Sequence, residues 1–312
     1  MRIVFAGTPE PAVVALEKLV ASPHDVIAVI TRPDAPRGRG RTLHPSPVKA
    51  AAVQHGIPVL TPTTLKADTP DGTEFRTQLR ELAPDCVPVV AYGNLIPQDI
   101  LDMVPHGFIN LHFSTLPRWR GAAPVQAAIR AGDTETGVTT FRIDAGLDTG
   151  DILRHAPQPI KDTDTADDLL TRLAYQGADV LAATMDDLAA GPATFQPQTG
   201  DTTHAEKIMV NDARVNWTEP SPTIDRHIRA VTPAPGAWTT LGEQRIKLRP
   251  VAQLFDAPTL PPGSIHVEKH RILVGTGTTP VALSQLQAPG KKMMNATDWA
   301  RGLNTTEGIT FQ

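Results

Sequence analysis

Asn110 and His112 are the residues whose types and spacing point most directly to chemistry. Only Leu111 separates them, in an apolar stretch that predicts a strand, and alternate residues of a strand project from one face. The amide of Asn110 can donate to an oxyanion, while His112 can donate a proton when charged or accept one when neutral. The pair suits transfer of a carbonyl carbon to an amine. Taken alone, it is also what a strand emerging into a polar loop would show.

The elements that must position this pair follow from hydrophobic periodicity. Apolar segments at 2–6, 26–30, 57–60, 87–91 and 108–111 predict buried strands, and helical spacing recurs between them up to about residue 131. This alternation predicts an α/β domain with a doubly wound, mostly parallel sheet, which binds its ligands at the carboxyl ends of the strands. Thr8 is the predicted cap of the first helix. The turn that begins at Gly7 lacks the further glycines of a dinucleotide site, which argues against NAD.

A second domain is predicted after a long helix over 165–190. Residues 191–207 are rich in Pro and Gly and are interpreted as a linker. Short apolar segments at 244–248, 264–267, 271–274 and 281–286 then predict a small β-barrel. The expected domains are therefore 1–190, a linker at 191–207, and 208–312.

Composition excludes several classes of protein. With 40% hydrophobic and 20% charged residues over 312 positions, the chain has the profile of an ordinary globular protein. Cys86 is the only cysteine, which excludes an intramolecular disulfide and a thiolate zinc site, and no metal site is expected. No export signal and no membrane span are predicted, so we expect a cytoplasmic protein.

Charge is distributed unevenly along the chain. Residues 1–206 carry a net charge of −8 and residues 207–312 a net charge of +4. Within this acidic part, residues 32–49 contain five basic residues and one acidic residue, Asp34, and two glycines lie between the arginines. Such a loop can neutralise phosphates along a nucleic-acid backbone, although a solvated surface loop has the same charge.

A family resemblance rests on ordered motifs over essentially the whole chain. Asn110-Leu111-His112-Phe113-Ser114-Thr115-Leu116-Pro117, followed by Arg120-Gly121-Ala122-Ala123-Pro124, resembles the formyltransferase family, and the second motif resembles its methionyl-tRNA branch. Further similar motifs are Phe5-Ala6-Gly7-Thr8-Pro9, Gly38-Arg39-Gly40-Arg41, Ser46-Pro47-Val48-Lys49, Gly146-Leu147-Asp148-Thr149-Gly150-Asp151, Ala205-Glu206-Lys207 and Ala288-Pro289-Gly290-Lys291-Lys292-Met293.

The resemblance implies a formyltransferase Rossmann-like sheet followed by an OB-like barrel, and a catalytic trio of Asn110, His112 and Asp148. A carboxylate of Asp148 beside His112 would raise the pKa of the imidazole. No cofactor would be permanently bound, because 10-formyltetrahydrofolate serves as co-substrate. The implied folate-binding residues are Ser114, Thr115, Leu116, Pro117, Val89, Val90, Ala91, Tyr92 and Gly93.

This chain departs from the family pattern at two of these positions. Phe113 stands where the family often has Gly, and Thr115 stands where it usually has Leu. The details of the folate contact at this loop are therefore open. Phe113 can form a wall of the site or an aromatic core residue beneath the loop.

The implied acceptor is the amino group of methionyl-initiator tRNA. The basic loop would contact the acceptor stem, and the barrel would bind phosphates. The family often has a further lysine after Lys207, where this chain has Ile208. The chain is expected to act as a monomer. The candidate tRNA contacts are Arg37, Arg39, Arg41, Lys49, Lys207, Arg245, Lys247, Arg249, Lys291 and Lys292.

Two alternatives remain open from the sequence. Another formyl-folate enzyme, acting on a sugar amine or a purine precursor, would share the trio without needing the basic loop. An RNA-binding protein without catalytic activity would need the loop and the barrel but not the trio.

Overall fold

The computed structural model describes residues 1–37, 40–303 and 308–312. The strands are β1 (Arg2–Gly7), β2 (Asp25–Ile30), β3 (Ala35–Arg37), β4 (Thr42–His44), β5 (Val59–Leu60), β6 (Val87–Val90), β7 (Phe108–His112), β8 (Arg120–Gly121), β9 (Glu135–Arg142), β10 (Ile152–Pro159), β11 (His204–Ala205), β12 (Trp238–Leu241), β13 (Gln244–Leu248), β14 (Ala252–Gln253), β15 (Ile265–Val267), β16 (Ile272–Val274), β17 (Val281–Leu283), β18 (Gln285–Gln287) and β19 (Met294–Asn295). The helices are α1 (Glu10–Val20), α2 (Pro47–Gln54), α3 (Pro70–Leu82), α4 (Gln98–Leu101), α5 (Pro124–Ala131), α6 (Ala166–Ala190), α7 (Ser221–Ala230) and α8 (Ala296–Arg301), with a 3-10 turn at Val210–Ala213.

The N-terminal half is built on a seven-stranded sheet in the order β10-β9-β7-β6-β1-β2-β5. β1 pairs in parallel with both β2 and β6, β6 pairs in parallel with β7, and β7 pairs antiparallel with β9. Buried apolar residues of β1, β6 and the second half of β2 form its core, because these segments are covered on both faces. The predicted doubly wound, mostly parallel sheet is confirmed. The strand order reverses at β1, so a crevice is expected at the carboxyl ends of β1 and β6.

The predicted Thr8 cap on α1 is wrong. Pro9 is the N-cap residue of this helix and makes no side-chain capping bond. The Thr8 hydroxyl instead donates to the main-chain carbonyl of Tyr92 at 2.7 Å. Because this bond joins the segments that follow β1 and β6, it holds the two sides of the crevice together.

The C-terminal half consists of antiparallel strands around a second core. One sheet has the order β12-β13-β18-β19 and another the order β14-β17-β16-β15. Phe311 stacks between Trp217 and Trp299, with ring centroids 5.8 and 6.0 Å away. Three large aromatic side chains in one cluster supply much of the apolar area that so small a domain needs. The predicted small β domain after the α/β domain is confirmed as a region of antiparallel strands, which also carries α7 and α8.

Two compact units share the chain. Residues 1–121, 136–159 and 170–204 form the first, and residues 122–135, 160–169 and 205–312 form the second. The second unit therefore includes two short pieces of the N-terminal half. The division at 1–190, 191–207 and 208–312 stays a prediction.

Cys86 is fully buried. Desolvation raises the pKa of its thiol to about 12, so the group stays protonated near neutral pH. Among the described residues, no helix combines the length and the apolar character that crossing a bilayer requires.

Candidate active site

β7 carries Asn110 and His112 to the carboxyl edge of the sheet. Asn110 pairs with Val89 of β6 on one side and with β9 on the other, and His112 pairs with β9, so both residues stay in extended backbone. The His112 side chain is only 6% exposed, and its Nε2 lies 2.8 Å from the main-chain carbonyl of Trp119. A carbonyl oxygen can only accept, so Nε2 is the protonated nitrogen and Nδ1 is the one left to exchange a proton.

Asp148 faces His112 from the loop between β9 and β10. Its Oδ2 lies 3.7 Å from His112 Nδ1 and accepts a hydrogen bond of 2.7 Å from the backbone N–H of Gly121. The carboxylate is 17% exposed, so it is more open to solvent than the imidazole. The sequence prediction that Asp148 and His112 face each other is therefore met by the geometry.

The predicted net rise in the pKa of His112 is wrong, although Asp148 contributes in the predicted upward direction. Burial is the largest cause and lowers the pKa of the imidazole below its ordinary value. The Asp148 charge and the bond to the Trp119 carbonyl act in the opposite direction but do not outweigh burial. His112 is thus neutral at rest near pH 7, with Nδ1 able to accept a proton. When the imidazole is protonated, the Asp148 carboxylate lies 3.7 Å from its Nδ1.

A cavity of about 400 Å³ opens beside this pair. Asn110 and Asp148 both line it, so the amide and the carboxylate reach the same space. The loop after β6 and the loop after β9 form its walls. Leu95 is 90% exposed and Leu147 is 62% exposed, so the cavity carries apolar groups that a flat organic ligand could cover.

Four of the predicted folate residues line this cavity, namely Val89, Ala91, Tyr92 and Gly93. Val90 is fully buried in β6 and does not line it, because alternate residues of a strand face opposite sides. Burial raises the pKa of the Tyr92 phenol, so its hydroxyl stays protonated, and it accepts a hydrogen bond from the Asn94 amide at 3.3 Å.

The predicted folate residues 114–117 have partners within the protein. The Ser114 hydroxyl donates to the Arg118 carbonyl at 2.6 Å, and the Ser114 carbonyl accepts from the Thr139 hydroxyl at 2.7 Å. Thr139 Oγ1 in turn accepts from the backbone N–H of Leu116 at 3.2 Å. These bonds fix the loop after β7 against β9. A role in binding folate stays a prediction for Ser114, Thr115, Leu116 and Pro117. Phe113, which precedes them, is half-buried.

Unusual backbone conformations gather at the site. Ala91, Trp119 and Asp148 have φ angles of 48°, 64° and 53°, in the left-handed region that side chains other than glycine seldom adopt. Each residue is part of the constellation described above. Strain of this kind persists only where the surroundings fix the backbone, and it concentrates at functional sites.

The sequence did not reveal several groups that shape this site. The Trp119 carbonyl and the Gly121 N–H act through the main chain, so residue type gives no signal for them. Asn94 and Leu95 could have been suspected only from their place after β6 in the predicted sheet. Gln198 lies far along the chain in the predicted linker, yet it bonds the backbone around Asp148.

The basic segment of the first unit is a hairpin formed by β3 and β4. Arg32 donates to the Asn94 side chain, and Lys49 Nζ lies 2.7 Å from Asp34 Oδ1, so both cations have partners within the unit. Arg41 is exposed. Arg39 and the side chain of Arg37 lie outside the described residues.

The second unit presents basic side chains along β13. Arg245 and Lys247 alternate with buried Ile246 and are exposed, and Arg249 continues the same spacing. The guanidinium of Arg245 lies 4.0 Å from the ring centre of Trp238, a cation–π contact that limits its freedom. The remaining candidates of this unit, Lys207, Lys291 and Lys292, are also exposed.

Comparison with known proteins gives matches over both halves of the chain. The family model described as formyl transferase matches residues 1–185, and the model described as formyl transferase, C-terminal domain, matches residues 207–304. A protein named methionyl-tRNA formyltransferase from Corynebacterium diphtheriae is 65% identical over 311 residues, covering 100% of both chains.

Solved structures resemble the fold at lower identity. The sugar 3N-formyl transferase WlaRD, crystallised in the presence of dTDP and 5-N-formyl-THF, has a TM-score of 0.65 at 20% identity, covering 94% of this chain and 99% of its own. HypX from Aquifex aeolicus in complex with tetrahydrofolic acid has a TM-score of 0.67 at 16% identity. That match covers 97% of this chain, which spans about half the length of HypX (47%).

Proposed function

The chain belongs to the formyl transferase family, and we propose that it moves the formyl group of 10-formyltetrahydrofolate onto the free amino group of methionyl-initiator tRNA. The 65% sequence identity to a methionyl-tRNA formyltransferase, over the full length of both chains, supports this reaction. The observation that carries the mechanism is the juxtaposition of His112 and Asp148 beside a cavity that Asn110 also lines. This arrangement suits attack of an amine on a one-carbon carbonyl.

The reaction begins when the lone pair of the neutral amine attacks the formyl carbon. A new C–N bond forms, and the carbonyl π pair moves onto oxygen as an oxyanion. We assign the Asn110 amide as the donor that stabilises this charge, because it lines the cavity on the strand end beside His112. The low exposure of His112 strengthens its electrostatic contacts.

The amine must lose a proton on the way to the product, and the leaving folate nitrogen must gain one. We assign this transfer to the pair of His112 and Asp148. Asp148, the more exposed of the two, takes up the amine proton first. Nδ1 of the neutral imidazole can then accept that proton. The charged imidazole then faces a carboxylate at 3.7 Å and supports the oxyanion. The oxyanion re-forms the carbonyl as the C–N bond to folate breaks, and the electron pair of that bond moves onto the folate nitrogen. The proton leaves on the folate nitrogen.

The tRNA is proposed to bind through phosphates. We assign Arg41 of the hairpin, with Arg37, Arg39 and Lys49, to the acceptor stem, and Lys207, Arg245, Lys247, Arg249, Lys291 and Lys292 to phosphates elsewhere on the tRNA. Exposed cations without base-specific geometry bind backbone charge, and that binding weakens as salt rises. Lys49 must break its ion pair with Asp34 to contact a phosphate, so its contribution to tRNA binding is expected to be smaller than that of Arg41.

Removing charge from β13 should weaken tRNA binding without slowing chemistry. We expect the Arg245→Ala and Lys247→Ala variants to raise the Kd for initiator tRNA. Each should reduce the slope of log Kd against log salt by about 1, because one phosphate contact is lost. Filter binding over a salt series measures this. Arg271→Ala is the matched control, because Arg271 is already paired with Glu268 at 2.6 Å. An unchanged slope in both β13 variants would remove this face from the tRNA site.

The acceptor assay tests the proposed function. Purified protein with 10-formyltetrahydrofolate is given charged initiator tRNA, charged elongator tRNA or free methionine, and formylated product is counted. The proposal predicts product mainly from the initiator tRNA. Transfer to a sugar amine or purine precursor instead would favour the other formyl-folate enzymes. Binding of tRNA with no transfer would favour a non-catalytic RNA-binding protein.

We further propose that the protein works as a monomer in the cytoplasm, where charged tRNA is available. Asn110, His112 and Asp148 all lie in the first unit, so the proposed reaction centre is built from one polypeptide. Sedimentation at working concentration tests the monomer.

A further inference from the structure

Gln198 holds the backbone of the Asp148 turn from a distant part of the chain. Its side-chain amide donates to the carbonyl of Asp148 at 2.8 Å and to the carbonyl of Gly150 at 2.9 Å. Both donors of one NH2 group are thereby used on the two sides of a single turn. Such a bond pair restricts the direction in which the Asp148 carboxylate points.

The other end of the Gln198 amide is fixed as well. Its Oε1 accepts from Nε of Arg120 at 3.0 Å and from Nη2 of Arg120 at 2.6 Å. The orientation of the amide is therefore set, because only the oxygen can accept from a guanidinium. Arg120 directly precedes Gly121, whose N–H bonds the Asp148 carboxylate at 2.7 Å.

The segment that carries Gln198 is itself held in place. Gln196 and Ile152 exchange two backbone hydrogen bonds of 2.8 and 2.9 Å, which places the segment beside the start of β10. Gln198 is half-buried, so its bonds are partly shielded from water. The contacts thus form a closed path from Asp148 through Gln198 and Arg120 to Gly121 and back to the Asp148 carboxylate.

We propose that Gln198 is a positioning residue for the transfer reaction, holding Asp148 in register with His112. This inference rests on the proposed function. Gln198 contacts the backbone of the turn rather than the reacting groups, so it would act through Asp148. Misplacing a proton-handling group by about 1 Å can cost about 100-fold in rate.

Two variants separate the two sides of the amide. In Gln198→Glu the carboxylate still accepts from Arg120 but cannot donate to the carbonyls of Asp148 and Gly150. In Gln198→Ala both sets of bonds are lost. We expect both variants to lower kcat by about 10- to 100-fold with unchanged KM for tRNA. Gln176→Ala is the matched control, because Gln176 also donates to a main-chain carbonyl of this unit, that of Pro157 at 2.9 Å.

Coupling to Asp148 is the readout that a general loss of structure would not give. On an Asp148→Asn background, Gln198→Ala should cause little further loss, since the group it positions has already lost its charge. A wild-type kcat in Gln198→Glu would overturn the proposal. So would a Gln198→Ala substitution that lowers kcat by the same factor in the wild-type and Asp148→Asn backgrounds.

The imidazole titration of His112, followed by NMR in the substrate-free protein, makes the test independent of turnover. Moving the Asp148 carboxylate away from His112 weakens its upward effect on the pKa of the imidazole. We therefore expect the midpoint to fall in Gln198→Ala, which adds no charge, in the direction that Asp148→Asn gives. A wild-type midpoint in Gln198→Ala would overturn the positioning role, whereas failure of the wild-type protein to formylate tRNA would overturn the proposed function.

Discussion

His112→Gln should reduce kcat by about 100- to 10,000-fold, the range that general acid–base catalysis contributes. Glutamine can still donate to the Trp119 carbonyl, which His112 Nε2 contacts at 2.8 Å, so the loop after β7 keeps this bond. What the variant lacks is a nitrogen that gains and loses a proton near neutral pH. Steady-state formyl transfer to charged initiator tRNA measures the loss.

The control for this variant is His155→Ala, which removes an exposed histidine of β10. It should keep wild-type kcat. A melting temperature near that of the wild type would show that His112→Gln is folded. A folded His112→Gln protein with near-wild-type kcat would refute the assignment of the imidazole to proton transfer.

Asp148→Asn should reduce kcat by a similar factor, about 100- to 10,000-fold, and should also shift the pH profile. Asparagine tolerates the left-handed φ of 53° at this position, and its oxygen can accept from the Gly121 N–H. The turn should therefore persist while the charge is lost. The variant removes a contribution that raises the pKa of His112, so that pKa falls further below its ordinary value.

The sign of the pH effect follows from that change. A neutral imidazole accepts the proton, so activity falls as pH drops through the pKa of His112. With a lower pKa, the remaining activity of Asp148→Asn should persist to lower pH than that of the wild type. The kcat profile measures this shift, and Asp151→Asn, which removes an exposed carboxylate nearby, should leave it unchanged. A shift towards higher pH would contradict the electrostatic account.

The sequence predicted the sheet because its strands are nearly continuous apolar segments. β1, β6 and the second half of β2 are buried on both faces, and such strands leave a clear signal in residue type. Asn110 and His112 were found for a related reason, since they are polar residues at the end of a strand that is otherwise buried. Asp148 lies in a loop where aspartate is ordinary, so only the resemblance singled it out.

The parts that the sequence could not give depend on tertiary contacts. The direction of the His112 pKa is decided by burial, which no local pattern measures. Thr8 has the residue type of a helix cap but bonds Tyr92 across the sheet, because a tertiary partner competes with the local one. Gln198 has no motif of its own, and its two bonds to the Asp148 turn exist only in the folded unit.

The most direct test of the mechanism is a single-turnover measurement on the His112→Gln/Asp148→Asn double variant. With both substrates saturating, rapid quench gives the rate constant of formyl transfer free of product release. Groups that act as one unit are not additive. We expect the double variant to be about as slow as the slower single variant. Losses that multiply in the double variant would show that His112 and Asp148 work independently, contrary to the proton-sharing pair inferred from their 3.7 Å approach.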